Sequence, residues 1–413
     1  MKKLFPLVFL ALIVFPSSAQ WTSKAAFPGI ARAKAVSFAI GDTVYVMGGV
    51  TNSNLILKDF WKYDMNGNAW TQVPDFPGEE RYGAASFVLA NTGYIATGGN
   101  DNGYLDDMWQ YDPATSNWLQ RTGLPAGSAQ HENQRAEAYA FVINNKAYLG
   151  GGNGWVFGAN STNPIAFTDL WEWNPGTNTW STKASVPDVG KNFSVAGVIN
   201  DKAYIGLGCD AGQTTNFKTF WEYDPAGNAW TAMSQYPTNF TVDAGSFVWN
   251  NELYVVGGVD LSSISLTNAV HKYDPVNDAW TQIASYSGGS VAGQFIASNG
   301  SRVFSGGGYN GSIVTRNDLW EFTTTATGVN YDLADYDDGL DIFPNPATTE
   351  LNLVSEKEIK SWEVLDISGR TVKQNTDIGF RINLEGISAG TYFLKYVFDD
   401  GKAGVRRFMV ERQ

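Results

Sequence analysis

Read for its alternation of apolar and polar positions, the chain resolves into short strands that come in fours. An apolar pair around a tight turn comes first, as in Ala35–Ile40, Gly41-Asp42 and Thr43–Met47. Equivalent turns stand at Asn91-Thr92, Asn144-Asn145, Asn200-Asp201, Asn250-Asn251 and Asn299-Gly300. A glycine landmark follows each pair: Gly48-Gly49, Gly98-Gly99, Gly151-Gly152, Gly206-Leu207-Gly208, Gly257-Gly258 and Gly306-Gly307. An aromatic hairpin closes each unit, as in Trp109-Gln110-Tyr111-Asp112-Pro113-Ala114-Thr115-Ser116-Asn117-Trp118. Period-two alternation sets Trp109 and Tyr111 on one face of a strand, and Asp, Pro and Asn supply the turn. Trp61…Trp70, Trp171…Trp180, Trp221…Trp230 and His271…Trp280 repeat the pattern.

The leading glycines are 50, 53, 55, 51 and 49 residues apart. Four strands at a period near fifty predict a propeller of six blades. The sixth hairpin is incomplete, because Val329 stands where Trp is expected after Trp320. Trp21 supplies the missing residue from the other end, so a strand near Trp21–Lys24 is expected to close the ring and remove an open edge. On these residues the stretch 20–325 resembles a six-bladed kelch β-propeller, similar to the central domain of galactose oxidase and to sialic acid mutarotases. Arg32, Arg81 and Arg135 fall where kelch repeats often carry an Arg ahead of the first strand.

Outside the propeller, Met1-Lys2-Lys3, an apolar run Leu4–Phe15 and Ser17-Ser18-Ala19 read as a signal peptide (1–19) cut after Ala19. An acidic linker over 326–339 carries Asp332, Asp335, Asp337 and Asp338. Short alternating strands from residue 340 to 413 then predict a small immunoglobulin-like β-sandwich. Pro344-Asn345-Pro346, Leu365-Asp366-Ile367-Ser368-Gly369-Arg370, Ile387-Ser388-Ala389-Gly390-Thr391-Tyr392-Phe393 and Arg406-Arg407 make this tail similar to the type A C-terminal sorting domain of the type IX secretion system. That resemblance implies passage across an outer membrane, contact with the secretion machinery, and attachment at the cell surface or release.

Charge narrows the partners. Residues 20–339 hold 16 Lys+Arg and 30 Asp+Glu (net −14), the tail holds 10 and 11 (net −1), and Lys2 and Lys3 add +2, giving the total of −13. An acidic body excludes nucleic-acid backbones as partners and favours neutral or cationic ligands. After the leader no segment reaches transmembrane length. The single Cys209 excludes an intrachain disulfide and reads as a small buried apolar residue.

Loops between the second and third strands (b–c) and between blades (d–a) share one face and vary in length, so function is expected there. The long insertions Leu124–Gln134 and Asn153–Thr168 converge on blade three. Ligand contacts are expected from Arg135, Asn153, Trp155, Phe157 and Asn160, with Arg81 and Asn102 on the same face; aromatic rings stack on a sugar or peptide side chain while amides and guanidinium give direction. Asn100, Lys191, Asn192, Asp210, Asp243, Asp260, Tyr309 and Asn310 are smaller contributors. Glu132, Glu137 and His131 are the candidates for acid–base chemistry.

A copper radical oxidase needs two His and a Tyr directly before one of them. Neither His131 nor His271 follows a Tyr, and His271 occupies a Trp slot. No metal and no cofactor is expected. The expected function is an exported carbohydrate- or protein-binding module; a carbohydrate isomerase of the mutarotase type is the alternative.

Overall fold

A computed structural model describes residues 18–125, 133–155, 164–312, 314–325, 340–355, 357–366, 371–375, 381–399 and 403–411. Residues 1–17, which make up most of the expected signal peptide (1–19), and the expected acidic linker 326–339 lie outside the described residues. One compact unit ends at Thr325 and a second takes the chain beyond it.

In the first unit the described residues form six four-stranded antiparallel sheets. Blade one runs Val36–Ile40, Thr43–Val50, Ile56–Asp64 and Ala69–Val73. The innermost strands of blades two to six are Ala85–Leu89, Tyr139–Ile143, Val195–Ile199, Gly245–Trp249 and Phe295–Ser298. Each innermost strand touches the next, and that of blade six touches that of blade one, so the sheets close on themselves. The outermost strand of blade six is Ser18–Ser23, paired antiparallel to Leu319–Thr325 with Trp21 opposite Phe322. That register repeats Tyr111 opposite Trp118 in blade two and Tyr223 opposite Trp230 in blade four. Trp21 is buried against Phe247, Tyr286 and Phe322.

The aromatic hairpins staple neighbouring blades. In blade one the turn residue Asn68 accepts from Tyr63 Oη (2.8 Å) and from the backbone N–H of Ala25 (2.8 Å), while Trp70 Nε1 donates to the Ala25 carbonyl (2.9 Å). Trp180, Trp230 and Trp280 make the same bond to Thr122, Ala184 and Ser234. The motif therefore supplies both a ring to bury and an inter-blade hydrogen bond.

The glycine landmarks sit one residue away from the expected alignment in three blades. Equivalent left-handed positions are Gly48, Thr97, Gly151, Leu207, Gly257 and Gly307, each followed by a glycine. The first position tolerates Thr97 and Leu207. The second does not tolerate a side chain, because a Cβ on Gly49 would lie 2.7 Å from the Ala33 carbonyl oxygen.

Beyond Thr325, a three-stranded sheet (Leu340–Phe343, Glu350–Ser355, Arg381–Asn383) and a four-stranded sheet (Thr371–Asn375, Ile359–Leu365, Gly390–Phe398, Ala403–Val410) share one core that includes Leu351, Trp362, Leu394 and Phe408. This is a two-sheet all-β unit, as the alternation predicts.

Trp21→Ala removes the aromatic ring from this closing strand. A loss of about 3–5 kcal/mol is expected for a buried Trp, read as a lower denaturant midpoint for the propeller; an unchanged midpoint would show that the strand does not close it.

Candidate functional site

Every blade is entered through the same turn. Two positions before each innermost strand stands Lys34, Gly83, Glu137, Phe193, Asp243 or Gly293, and all six have φ between +54° and +62°. Their backbones are chained around the axis. Gly83 N–H donates to Lys34 O (2.9 Å), Glu137 to Gly83 (2.8 Å), Phe193 to Glu137 (3.3 Å), Gly293 to Asp243 (2.8 Å) and Lys34 to Gly293 (2.7 Å). These residues and the ones after them line a cavity of about 150 Å³.

Its charged side chains come from alternate blades, one, three and five. Lys34 Nζ lies 3.1 Å from Glu137 Oε1 and 3.4 Å from Asp243 Oδ2, and 4.2 Å from the centre of the Phe193 ring. Tyr309 Oη donates to Asp243 Oδ2 (2.7 Å). Gly83 leaves room for Glu137, whose carboxylate occupies the place a Cβ there would take. Gln294 donates from Nε2 to the Val256 carbonyl (2.9 Å), and its buried Oε1 has no hydrogen-bond partner.

Burial governs protonation here. It pushes the Glu137 carboxyl up to about 7, with Lys34 opposing and Asp243 reinforcing. Burial alone would depress the Lys34 ammonium, but Asp243 and Glu137 outweigh it and hold Lys34 above its ordinary range. Burial, then Asp243, raises the Tyr309 phenol, and burial raises the Cys209 thiol, so both stay neutral.

Of the residues expected from sequence, Glu137, Asp243 and Tyr309 are thus brought together at the axis. Arg81 and Arg135 are not. Both are fully buried in the blade walls, where Arg135 makes two bonds to Asp169 (2.7 and 2.8 Å), one to the Gly151 carbonyl (3.1 Å), and packs 3.9 Å from the Phe167 ring centre. Arg81 repeats the arrangement with Asp107 and Thr97. Their donors serve the fold, which corrects the expectation that they face a ligand. Asn153 is buried and donates to Tyr104 Oη (2.5 Å), and Trp155 packs on the Tyr104 ring at 5.4 Å, forming a half-buried wall on blade three. Asn102 is exposed; its N–H caps onto Asn100 Oδ1 (2.8 Å). His131, Glu132, Phe157 and Asn160 lie outside the described residues. His271 is buried with Nδ1 3.0 Å from Tyr236 Oη, a packing residue in a Trp slot.

Lys34, Phe193 and Gln294 were not anticipated. The available signal was register: each ring residue stands two positions after the slot held by Arg32, Arg81 and Arg135.

Glu137 also sets a pH dependence. Unfolded, its carboxyl loses its proton near the ordinary glutamate value; folded, near 7. Between those values the folded chain holds more protons, so stability falls as pH rises through this window. Glu137→Gln is expected to flatten that fall, measured by chemical denaturation from about pH 5 to about pH 8; an identical slope in the variant would place its source elsewhere.

Residues 13–152 match the KLHDC2/KLHL20/DRC7 Kelch-repeats domain, residues 241–285 the Kelch motif, and residues 341–411 the secretion system C-terminal sorting domain. Among curated proteins none matches the sequence. Among solved structures, one titled "Structure of YjhT" superimposes with a TM-score of 0.60 at 19% identity, covering 73% of this chain and 97% of that one. At that identity the likeness concerns the fold. The glycine-led aromatic repeat, the closed set of four-stranded sheets and these matches together make the chain a kelch-repeat propeller carrying a C-terminal type IX secretion sorting domain.

Proposed function

We propose that the exported propeller is a carbohydrate-binding module whose ligand seats at the axial cavity and extends toward the Tyr104–Trp155 wall of blade three. The observation that carries the reading is the set of Lys34, Glu137 and Asp243 projecting from alternate blades into one cavity on the b–c/d–a face. Side chains of this kind fix the orientation of a hydroxylated ring, and half-buried aromatics such as Trp155 add a stacking surface. A protein partner on the same face is the other occupant the fold accommodates, with the ligand group then a side chain. No cofactor is invoked.

One observation favours a catalytic version of the same site. A carboxyl that titrates near 7 beside an ammonium is suited to exchange protons with a ring oxygen and an anomeric hydroxyl, the demand of a carbohydrate mutarotase. Glu137 would then be the acid–base group.

Glycan-array binding followed by calorimetry tests the first reading: Lys34→Met and Glu137→Gln are each expected to weaken binding about tenfold or more, and full retention in both would remove the site from the axis. Anomer exchange followed by NMR separates the two readings, since catalysis requires exchange faster than in buffer and loss of that acceleration in Glu137→Gln.

The sorting domain supports secretion by the type IX route to the surface or beyond. A reporter carrying residues 330–413 should leave the periplasm of a competent host; retention there would deny the tail this role.

A further inference from the structure

We propose that the axial cavity recognises a primary ammonium group, carried by an amino sugar. The choice of a sugar as carrier rests on the carbohydrate-binding reading; the ammonium preference rests on the charges and hydrogen-bonding groups of the cavity itself.

Among the residues lining the cavity, Lys34 carries the positive charge and Glu137 and Asp243 carry the negative. Both carboxylates share the one ammonium, at 3.1 and 3.4 Å. The other titratable groups around them do not add a cation. Tyr82, Tyr104 and Tyr309 and the Cys209 thiol are all held neutral, first by burial. Asp210, nearby, is an acid capped by Thr214 and Thr215. With both carboxylates ionised, the cavity therefore has one negative charge too many. It can relieve that by taking up a proton on Glu137 or by admitting a cation.

Hydrogen-bonding capacity points the same way. Gln294 Oε1 is a buried acceptor with no donor, and Gln294 as a whole is 9% exposed. Its Nε2 is committed to the Val256 carbonyl, which fixes the amide with the oxygen left over. Glu137 Oε1 is also buried without a hydrogen bond of good geometry, although Lys34 is close. Both residues belong to the cavity lining, and neither acceptor is fully satisfied within the fold. An ammonium brings three donors and a charge, a hydroxyl brings one donor and none, and an anionic ligand would meet a surplus of its own sign. The acidic body of the propeller, net −14 over residues 20–339 (16 basic, 30 acidic), attracts cations to this mouth from a distance.

The test compares 6-amino-6-deoxyglucose with glucose on the full chain by calorimetry, in sodium buffer at fixed ionic strength; this amine stays protonated through neutral pH. The amino sugar is expected to bind about tenfold more tightly than glucose near neutral pH. Its affinity should rise about tenfold from about pH 6 to about pH 8, as Glu137 exchanges its proton for the ligand cation. Glu137→Gln, checked for folding by thermal melting, should bring the two sugars to similar affinity and abolish the pH dependence. Glucose binding as tightly as the amino sugar in the wild type would overturn the ammonium preference while leaving carbohydrate binding intact. Nα-acetyl-lysine amide bound in preference to either sugar would uphold the ammonium and transfer it to a protein side chain, ending the carbohydrate reading. Binding of neither amine would overturn the inference.

Discussion

The turn by which each blade leaves its predecessor and drops to the axis governs the rest of the molecule. Wedge-shaped sheets converging on one line leave no space for an extended connection. The chain turns through the left-handed region and hands its carbonyl to the next blade's N–H, as Lys34 does to Gly83 and Gly83 to Glu137. The six turns share a narrow range of φ because the blades share one packing problem. Their geometry also decides what the axis displays, since whatever side chain the turn residue carries is delivered to the same cavity.

Two positions upstream, a second device holds the connection in place. In blades one to three a buried Arg spans to an Asp two residues before the strand-c Trp, with two bonds each: Arg32 to Asp59 at 2.5 and 2.7 Å, Arg81 to Asp107 at 2.6 and 2.9 Å. The same Asp accepts from the Trp indole, as Asp107 does from Trp109 at 2.7 Å. Breaking such a buried pair by removing one partner is costly, about 3–5 kcal/mol, because the other charge is stranded. Blades four and six rebuild the clamp from other sequence positions, while blade five has Thr241 in the slot. In blade four Lys191 takes the Arg slot and Asp188 takes over as acid, bonding Lys191, Thr219 and the Trp221 indole (3.0 Å). In blade six Val291 fills the slot and Arg316 enters from the b–c loop to meet Asp318. What these five blades retain is a paired cation and acid.

Legibility followed from this. The four-strand repeat, the strand order and the pairing of the Trp21 strand with Leu319–Thr325 were readable because they depend on repeated, chemically narrow residues: a glycine where a Cβ would strike a carbonyl, and a Tyr–Trp pair that also makes a hydrogen bond. The glycine register was readable only to within a residue, since Thr97 and Leu207 occupy a left-handed position where glycine was expected. Arg135 shows how a cation that holds the fold passes for a ligand contact in sequence. A cation beside long loops looks like a ligand contact in sequence, yet its guanidinium is consumed by Asp169, Gly151 and Phe167. Lys34 was passed over for the opposite reason. It belongs to a short connection, and nothing local in its sequence reveals that Glu137 and Asp243, more than a hundred residues away, will stand beside it.

The identity of the ring residues is itself informative. Elsewhere in the propeller left-handed positions fall largely to residues that adopt them cheaply, such as Asn91, Asn144, Asn200 and Asn250 in the inner hairpin turns. At the axis two blades make the cheapest choice, Gly83 and Gly293. Blades one, three and four instead hold Lys34, Glu137 and Phe193 in a conformation that disfavours L side chains by about 1–2 kcal/mol each. The fold does not require those side chains, because glycine satisfies the same turn in its neighbours. Strain kept at a position where glycine serves in two other blades points to a use for the side chain. Gly83 completes the point: its missing Cβ is the space into which the Glu137 carboxylate leans, so even the glycine contributes to assembling the charged group at the axis.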